Sequence, residues 1–347
     1  MSSRPRLHPL QALYGAHERA AGLPVVDHYA GVEARMRKAL ELQGSMADDA
    51  LFDVTLDLED GAPVGGEAEQ AQLVAELVMS PANRFGRVGV RIHPLQHACF
   101  RPDLETLIGR AGERLAYVMV PKVRNAAELA DAAALIRRTC LAHGVSRRLP
   151  VHALVETHGA LHEVFALAAL PAVESLSFGL MDFVSAHHGA IPAPAMAGIG
   201  QFRHPLVQRA KLEIAAACHA AGKVASHCVV TEFKDERLLA DAARQAAREL
   251  GFARMWSIHP NQIRPILAAF APDPDEVEIA GEILLTAQEA DWGPTAHRGA
   301  LQDRASYRYH WHVLERASRT GRVLPEPVRA AFFPRLARAA AGAAAGA

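Results

Sequence analysis

The sequence predicts an α/β fold, a (β/α)8 TIM barrel followed by a C-terminal helical extension. Short apolar runs alternate with longer amphipathic stretches along most of the 347 residues, which is the pattern of parallel βαβ units. Eight such runs fit a closed barrel better than an open sheet. Half of the residues are hydrophobic and 22% are charged, so the chain can bury a large core.

The predicted strands are short, and helical patterns or chain breakers separate them. In chain order they are residues 23–26, 52–58, 88–92, 116–120, 151–155, 175–178, 224–230 and 255–258. Pro121 closes the fourth strand, and Gly222 and Gly251 end the helices that precede the seventh and eighth. The first strand has the weakest signal, because its apolar run is short and follows a polar leader.

We expect four segments along the chain. Residues 1–22 form an N-terminal extension and residues 23–272 the barrel. Residues 273–330 read as a purely helical segment, with helices at 276–291 and 306–320. Residues 331–347 form a flexible Ala/Gly tail. We expect the aromatic stretch from Tyr307 to Trp311 to be a contact surface between subunits.

Composition excludes several classes of function. The net charge of −1 provides no field that would attract nucleic acid or an anionic membrane. No apolar stretch reaches the ~20 residues of a membrane span, and no apolar signal core follows the N-terminus. Four cysteines without a C-x-x-C pair indicate neither a disulfide framework nor a redox motif. We therefore expect a cytoplasmic protein that binds a small molecule, contacts no nucleic acid or membrane, and forms a homo-oligomer.

Charged and polar residues follow the apolar runs at the ends where a β/α barrel carries its catalytic groups. Alternation along the second strand puts Asp57 and Glu59 on the face assigned to the barrel interior. The residues at the strand ends are Asp57, Glu59, Asp60, Arg91, Lys122, Glu156, Asp182, Glu232 and His259. So many charges at one rim are costly unless they bind a ligand or pair with one another.

These residue types favour chemistry on a carboxylic acid. Glu156 and Asp182 could share a hard divalent cation, and Arg91 could hold a carboxylate or a developing enolate oxygen. A salt-bridge network that closes the barrel is the structural alternative. Lys122 could instead form a Schiff base, and His259 could contact the ligand or make a structural hydrogen bond.

Several sequence motifs occur in the order and spacing of one known family. They are LDLEDG at 56–61, VRIHPL at 90–95, VPKV at 120–123, VET at 155–157, FGLMD at 178–182, SIHPNQI at 257–263, FAPDPDEV at 270–277 and HRGALQD at 297–303. Over roughly residues 23–320 the chain resembles the HpcH/HpaI aldolase and citrate lyase β-subunit family.

The resemblance implies a Mg2+-dependent carbon–carbon lyase that acts on short hydroxy acids, often as coenzyme A (CoA) thioesters. By matching motif, Glu156 and Asp182 would bind the metal and Arg91 the substrate, with Lys122 paired to nearby carboxylates. Glu59 and Asp60 would hold metal-bound water in the second layer of contacts. The resemblance also implies that Asp303 is an acidic residue contributed from the C-terminal segment, sometimes to a neighbouring subunit. Asp303, Asp60 or a metal-bound hydroxide could accept the hydroxyl proton.

The chain departs from the family pattern in four places. His93 stands where an asparagine is common, and the segments 24–31, 185–189 and 225–232 also differ. The metal pair is unchanged. The main hypothesis is therefore a lyase acting on a hydroxy acid or its thioester. The alternatives are a metal-dependent aldolase for free 2-keto acids of the pyruvate type and a metabolite-binding barrel without catalysis.

Overall fold

Eight parallel strands close into a barrel in the computed structural model, which describes residues 6–15, 22–46 and 51–334. Neighbours along the chain pair with one another, and the last strand pairs with the first. The strands are β1 (Val26–Ala30), β2 (Phe52–Asp57), β3 (Val88–Arg91), β4 (Val118–Val120), β5 (Val151–Val155), β6 (Val173–Phe178), β7 (Val224–His227) and β8 (Arg254–Ser257). The predicted (β/α)8 barrel is therefore confirmed.

Helices lie between the strands and after the last one. They are α1 (Pro9–Tyr14), α2 (Glu33–Met46), α3 (Glu67–Met79), α4 (Phe100–Ala111), α5 (Ala126–Ala142), α6 (His158–His162), α7 (Val164–Ala169), α8 (Leu180–Ser185), α9 (Pro205–Ala221), α10 (Glu236–Arg244), α11 (Pro260–Phe270), α12 (Pro274–Glu289), α13 (Arg304–Arg319) and α14 (Glu326–Phe332). Among the described residues, no helix combines the length and apolarity that a membrane crossing requires.

The contacts divide the described residues into two units: those between 22 and 270, which contain the barrel, and residues 6–15 together with 271–334. In the barrel unit, one face of each strand packs against the surrounding helices. Val54 and Leu56 of β2 and Val90 of β3 are fully buried in this layer, as is Val74 of α3. The alternate residues of each strand are thereby directed to the barrel interior.

The predicted first strand at residues 23–26 is wrong, because β1 begins at Val26 and continues through polar residues. The side chains of Asp27 and His28 are buried but have partners. Asp27 lies 3.1 Å from the Arg254 guanidinium, and His28 Nδ1 lies 3.0 Å from Ser257 Oγ. Because these polar groups are paired inside the barrel, their burial costs little free energy. A search for apolar runs in the sequence does not detect such pairing.

The other unit contains α1, α12, α13 and α14. The helices predicted at 276–291 and 306–320 correspond to α12 and α13. The segment is not purely helical, because residues Thr295–His297 and Ala300–Gln302 form a two-stranded antiparallel hairpin, β9 and β10. The remainder of the predicted tail, from residue 335 on, lies outside the described residues.

Aromatic side chains form the core of this second unit. Tyr307 and Trp311 are 0% and 2% exposed within it, so these two side chains belong to the core. Tyr309 of the same stretch is 56% exposed, and a subunit contact there stays a prediction. Residues 6–15, part of the predicted N-terminal extension, belong to the same unit. There, the backbone carbonyl of Leu7 accepts hydrogen bonds from the side chains of Gln288 and Trp292 at 3.0 and 3.1 Å.

Candidate active site

Seven charged side chains meet at the carboxyl ends of the barrel strands, where β/α barrels hold their active sites. They are contributed by residues at or just after the ends of four neighbouring strands and by helix α8. We call them the rim cluster: Asp57, Glu59, Asp60, Arg91, Lys122, Glu156 and Asp182. Its five carboxyl groups outnumber its two cations, so the cluster attracts further positive charge.

Arg91 is anchored by a carboxylate from the adjacent strand. Its Nε and Nη2 atoms donate to the two oxygens of Asp57 at 2.7 and 2.5 Å, and Nη1 lies 3.2 Å from Glu59 Oε2. Its Cζ atom lies 5.2 Å from the centre of the Tyr29 ring. The fork to Asp57 is the strong bidentate geometry, so it fixes the guanidinium in one orientation. Asp57 occupies Nε and Nη2, so Nη1, which faces Glu59 as an ion pair, is the nitrogen that can contact a substrate.

Lys122 links carboxylates that come from different parts of the rim. Its ammonium contacts Glu59 and lies 2.9 Å from Asp60 Oδ2 and 3.7 Å from Asp182 Oδ1. These contacts raise the pKa of Lys122 above its ordinary value against the opposing effect of burial, so the amine is charged. A Schiff-base lysine needs a neutral amine, so this environment disfavours the Schiff-base alternative.

The backbone of Lys122 also belongs to the site. Its φ of 51° lies in the left-handed region, which is uncommon for a residue other than glycine. In this conformation its N–H donates to Glu156 Oε1 at 2.5 Å. The strained backbone and the ammonium therefore hold different carboxylates of the same cluster.

Glu156 is the most strongly perturbed carboxyl group of the cluster. It is 2% exposed, and burial followed by the nearby charge of Asp182 raises its pKa to about 8. Two adjacent carboxylates are unfavourable unless a proton or a cation compensates their charge. At neutral pH without a cation, Glu156 is therefore mostly protonated.

The chain leaves little room around this carboxyl group. Gly179 follows β6, and a Cβ atom built on it would lie 2.2 Å from Glu156 Oε2. A glycine is needed at position 179 because the Glu156 side chain occupies the space that any larger residue would use.

The donor set fits a hard divalent cation. Glu156 and Asp182 offer carboxylate oxygens, the ligands that Mg2+ prefers, and Asp182 is accessible with a side chain 39% exposed. A bound cation would lower the raised pKa of Glu156 and compensate the excess negative charge of the carboxylates. The residues present therefore suit Mg2+ better than a soft metal.

His259, predicted to bind substrate, lies after β8 against an aromatic ring. Its imidazole stacks on Phe233 at 4.9 Å, and its Nδ1 accepts the backbone N–H of Asn261 at 3.2 Å. Within the described part of the barrel unit, no hydrogen bond or ion pair joins His259 to the rim cluster. Its contact with substrate stays a prediction.

A pocket of about 920 Å3 opens beside the loop after β7. It is lined by residues 231–237 and Ala240, which include three acidic and two basic side chains. The lining therefore has no excess of positive charge that would attract a negatively charged ligand such as a polyphosphate.

Asp303 belongs to the second unit, where it caps helix α13. Its Oδ1 accepts the N–H groups of Ala305 and Ser306 at 2.9 and 3.3 Å. These hydrogen bonds give Asp303 a structural role, because a carboxylate at the start of a helix accepts N–H groups that have no partner within the helix. Its predicted catalytic role is untested.

Two residues that contact the guanidinium were not predicted to have a role there. Asp57 was predicted at the rim, but its bidentate contact with Arg91 was not predicted. The sequence did indicate that Asp57 faces inward, because it lies two residues before Glu59 on the same strand face. Tyr29 was missed because β1 was predicted at the wrong position. Its ring stacks on Trp256 at 4.3 Å and faces Arg91.

The closed barrel and its carboxylate-rich rim define a β/α-barrel enzyme. Comparison with known proteins narrows this class. The family model described as HpcH/HpaI aldolase/citrate lyase matches residues 36–260. The chain therefore belongs to the HpcH/HpaI aldolase/citrate lyase family.

Individual relatives agree with this membership. The chain is similar to an L-malyl-CoA/beta-methylmalyl-CoA lyase of Rhodobacter capsulatus, with 28% identity over 78% of this chain and 89% of that protein. It is also similar to a (3S)-malyl-CoA thioesterase of Cereibacter sphaeroides, with 28% identity over 73% of this chain and 80% of that protein.

Solved structures extend the similarity to the fold. A citrate lyase from Burkholderia xenovorans LB400 is 54% identical, with a TM-score of 0.80, over 94% of this chain and all of that one. The protein CitE from Mycobacterium tuberculosis, in complex with magnesium, acetoacetate and coenzyme A, is 25% identical with a TM-score of 0.64, over 85% of this chain and 98% of that one. With relatives named as lyases, the protein is a carbon–carbon lyase, which rejects the non-catalytic alternative.

Proposed function

We propose that the protein is a magnesium-dependent lyase that cleaves a short 3-hydroxyacyl-CoA thioester of the malyl type. The observation that carries the proposal is the pairing of Glu156 and Asp182 beside the fixed guanidinium of Arg91. The names of the lyase relatives and the magnesium and coenzyme A in the CitE complex support the choice of substrate and metal.

Glu156 and Asp182 hold the ion in this proposal, and Glu59 and Asp60, kept in place by Lys122, bind its water ligands. When bound, Mg2+ supplies positive charge that stabilises negative charge on the substrate oxygens. Arg91 Nη1 contacts the carboxylate or the enolate oxygen, since its other edge is occupied by Asp57. A guanidinium already oriented in the free protein needs little rearrangement in the transition state.

Cleavage also needs a group that removes the proton of the 3-hydroxyl as the carbon–carbon bond breaks. Burial of Asp60 opposes its ionisation, but the hydrogen bond and charge of Lys122 prevail and lower its pKa, which makes it a weak base. We therefore propose Asp303, contributed by a neighbouring subunit, as the base. Replacing it by asparagine should lower kcat and leave KM nearly unchanged, because the loss is confined to proton transfer.

The test is a product assay with malyl-CoA, citramalyl-CoA and the corresponding free acids, each with Mg2+ or with EDTA. The proposal predicts that malyl-CoA yields acetyl-CoA and glyoxylate only when Mg2+ is present. Glu156→Gln and Asp182→Asn should each lower turnover by about 10²-fold or more. Glu76→Gln, an exposed change on α3, is the matched control and should have no effect.

Other products would contradict the proposal in distinct ways. Full activity in EDTA would exclude the metal, and cleavage of free 2-keto acids alone would favour the pyruvate-type aldolase. Release of free CoA and malate without glyoxylate would favour a thioesterase, the activity named for one relative.

We also propose a cytoplasmic homo-oligomer. The resemblance supports assembly, because family members can contribute their equivalent of Asp303 to a neighbouring subunit. Light scattering coupled to size-exclusion chromatography tests this, and a monomer at micromolar concentration would contradict it.

A further inference from the structure

A second group of metal-binding side chains lies outside the rim cluster, in the loop between β3 and α4. His93, His97 and Cys99 each offer one ligand atom, and these atoms all lie within 4.8 Å of one another. His93 is buried, Cys99 is half-buried and His97 is exposed, so an ion could reach the group from solvent. The proposed lyase reaction uses none of the three.

Backbone hydrogen bonds hold the loop in a defined conformation. The N–H of His97 donates to Pro94 O at 2.9 Å, and the N–H of Phe100 donates to His97 O at 3.1 Å. The N–H of Asp103 donates to Cys99 O at 2.8 Å, which ties the loop to the first turn of α4. An ordered loop loses little conformational entropy when its side chains bind an ion.

His93 is oriented as metal-binding histidines are. Its Nδ1 lies 2.8 Å from Asp103 Oδ2, and its backbone N–H donates to the same oxygen at 3.0 Å. Asp103 is 2% exposed, so this contact is shielded from water. A carboxylate on one ring nitrogen directs the other, Nε2, toward an ion and makes it a better ligand.

The chemistry of the group selects the class of metal. Two imidazoles and a thiol suit Zn2+ or Co2+ and are poor ligands for Mg2+. Zn–N distances of about 2.0–2.1 Å and Zn–S of about 2.3 Å put tetrahedral ligand atoms about 3.3–3.6 Å apart. The imidazoles of His93 and His97 are stacked with ring centres 4.3 Å apart. Because imidazole lone pairs lie in the ring plane, the exposed His97 ring turns out of this stack when both rings bind one ion.

Negative charge around the group complements a cation. Asp103 lies behind His93. Glu67 of α3 is also near both imidazoles. Its pKa is lowered mainly by a hydrogen bond from the N–H of Gly65 and further by electrostatic interaction with His93 and His97. These two carboxylates partly neutralise a divalent ion bound to His93, His97 and Cys99.

We propose that His93, His97 and Cys99 form a binding site for a thiolate-preferring divalent transition-metal ion such as Zn2+, with water as the fourth ligand. Binding releases the thiol proton of Cys99 to solvent as the sulfur–metal bond forms.

The test is a Co2+ titration of the full chain in excess Mg2+, which keeps hard-ligand sites filled. One equivalent of Co2+ should give the intense visible absorption of four-coordinate cobalt and a thiolate-to-cobalt charge-transfer band. Zn2+ should then displace it. Cys99→Ala should remove the charge-transfer band, and His97→Ala should raise the Kd by about 100-fold or more. Asp103→Asn, which changes only the orienting carboxylate, should raise it by about 10–100-fold.

Cys140→Ala and His162→Ala are matched controls, because neither residue belongs to the group, and both should bind Co2+ as the parent does. A parent spectrum without the charge-transfer band would overturn the proposal, as would a band that persists in Cys99→Ala. Co2+ binding that disappears in the Glu156→Gln, Asp182→Asn double variant would assign the ion to the rim cluster instead. His97 is exposed, so His97→Ala keeps the test decisive even if a change at Cys99 prevents folding.

Discussion

Replacing Glu156 by glutamine is expected to stabilise the metal-free protein at alkaline pH and to abolish its stabilisation by magnesium. Burial and the charge of Asp182 raise the pKa of Glu156 from 4.5 to about 8. Glutamine has nearly the same shape and keeps an oxygen that can accept the N–H of Lys122. It carries no charge, so it is buried without an electrostatic penalty.

The sign and the size of the effect follow from the two pKa values. A carboxyl group whose pKa is raised by folding contributes stability that is fully present below pH 4.5 and is lost as the pH rises through about 8. Each tenfold change in proton affinity is worth about 1.4 kcal/mol, so the interval corresponds to at most about 5 kcal/mol. Because Asp182 is partly exposed, solvent weakens its effect on the pKa of Glu156. We therefore expect Glu156→Gln to stabilise the metal-free protein at alkaline pH by about 2–5 kcal/mol relative to the parent.

The assay is urea unfolding at pH 5 and pH 9, with EDTA or with Mg2+. In EDTA, the free energy of unfolding of the Glu156→Gln variant, measured relative to the parent, should increase from pH 5 to pH 9. Saturating Mg2+ should stabilise the parent by about 2.7 kcal/mol at 100 times its Kd and leave the variant unchanged. Glu76→Gln, on the exposed face of α3, should follow the parent throughout. Equal pH dependence of parent and Glu156→Gln variant in EDTA would refute the reasoning.

Three further substitutions give separate predictions, two for the site and one for the stability of helix α2. Gly179→Ala should lower lyase turnover by about 10²-fold and weaken Mg2+ binding, since its Cβ would meet Glu156 at 2.2 Å; calorimetric titration with Mg2+ measures the latter. Gly44→Ala, with no atom within 4 Å of the new Cβ, should stabilise α2 by up to about 1 kcal/mol in urea unfolding. Arg91→Lys should lower kcat/KM by about 10²–10³-fold while Mg2+ still raises Tm, because lysine cannot form the fork with Asp57; unchanged steady-state kinetics would contradict this role.

The sequence predicts the strand ends well where apolar and polar residues alternate. Along β2 the alternation put Asp57 and Glu59 on the inward face, and both contact Arg91 of the neighbouring strand β3. The barrel could be predicted because each of its eight strands is visible as a local pattern in the sequence. The contact between Arg91 and Asp57 requires the register of β2 against β3, in which these two residues are directly paired, and no local pattern contains it.

Features that depend on distant partners were not predictable from local patterns. β1 was placed too early because its Asp27 and His28 are stabilised by Arg254 and Ser257, more than two hundred residues away along the chain. The positive φ of Lys122 is equally hidden, because nothing in the VPKV motif indicates a left-handed residue. The raised pKa of Glu156 depends on the approach of Asp182 and on burial, which only the closed barrel produces.

The two attachments of Lys122 have a mechanical consequence. One residue connects β4 through its amide to the end of β5 and through its amine to the β2 loop and α8, so these segments are restrained together rather than singly. A substrate that drew the amine away would loosen the loop and the helix while leaving β5 fixed. Hydrogen–deuterium exchange would detect this as faster exchange at residues 59–66 and 180–185 on ligand binding, with no change along β5.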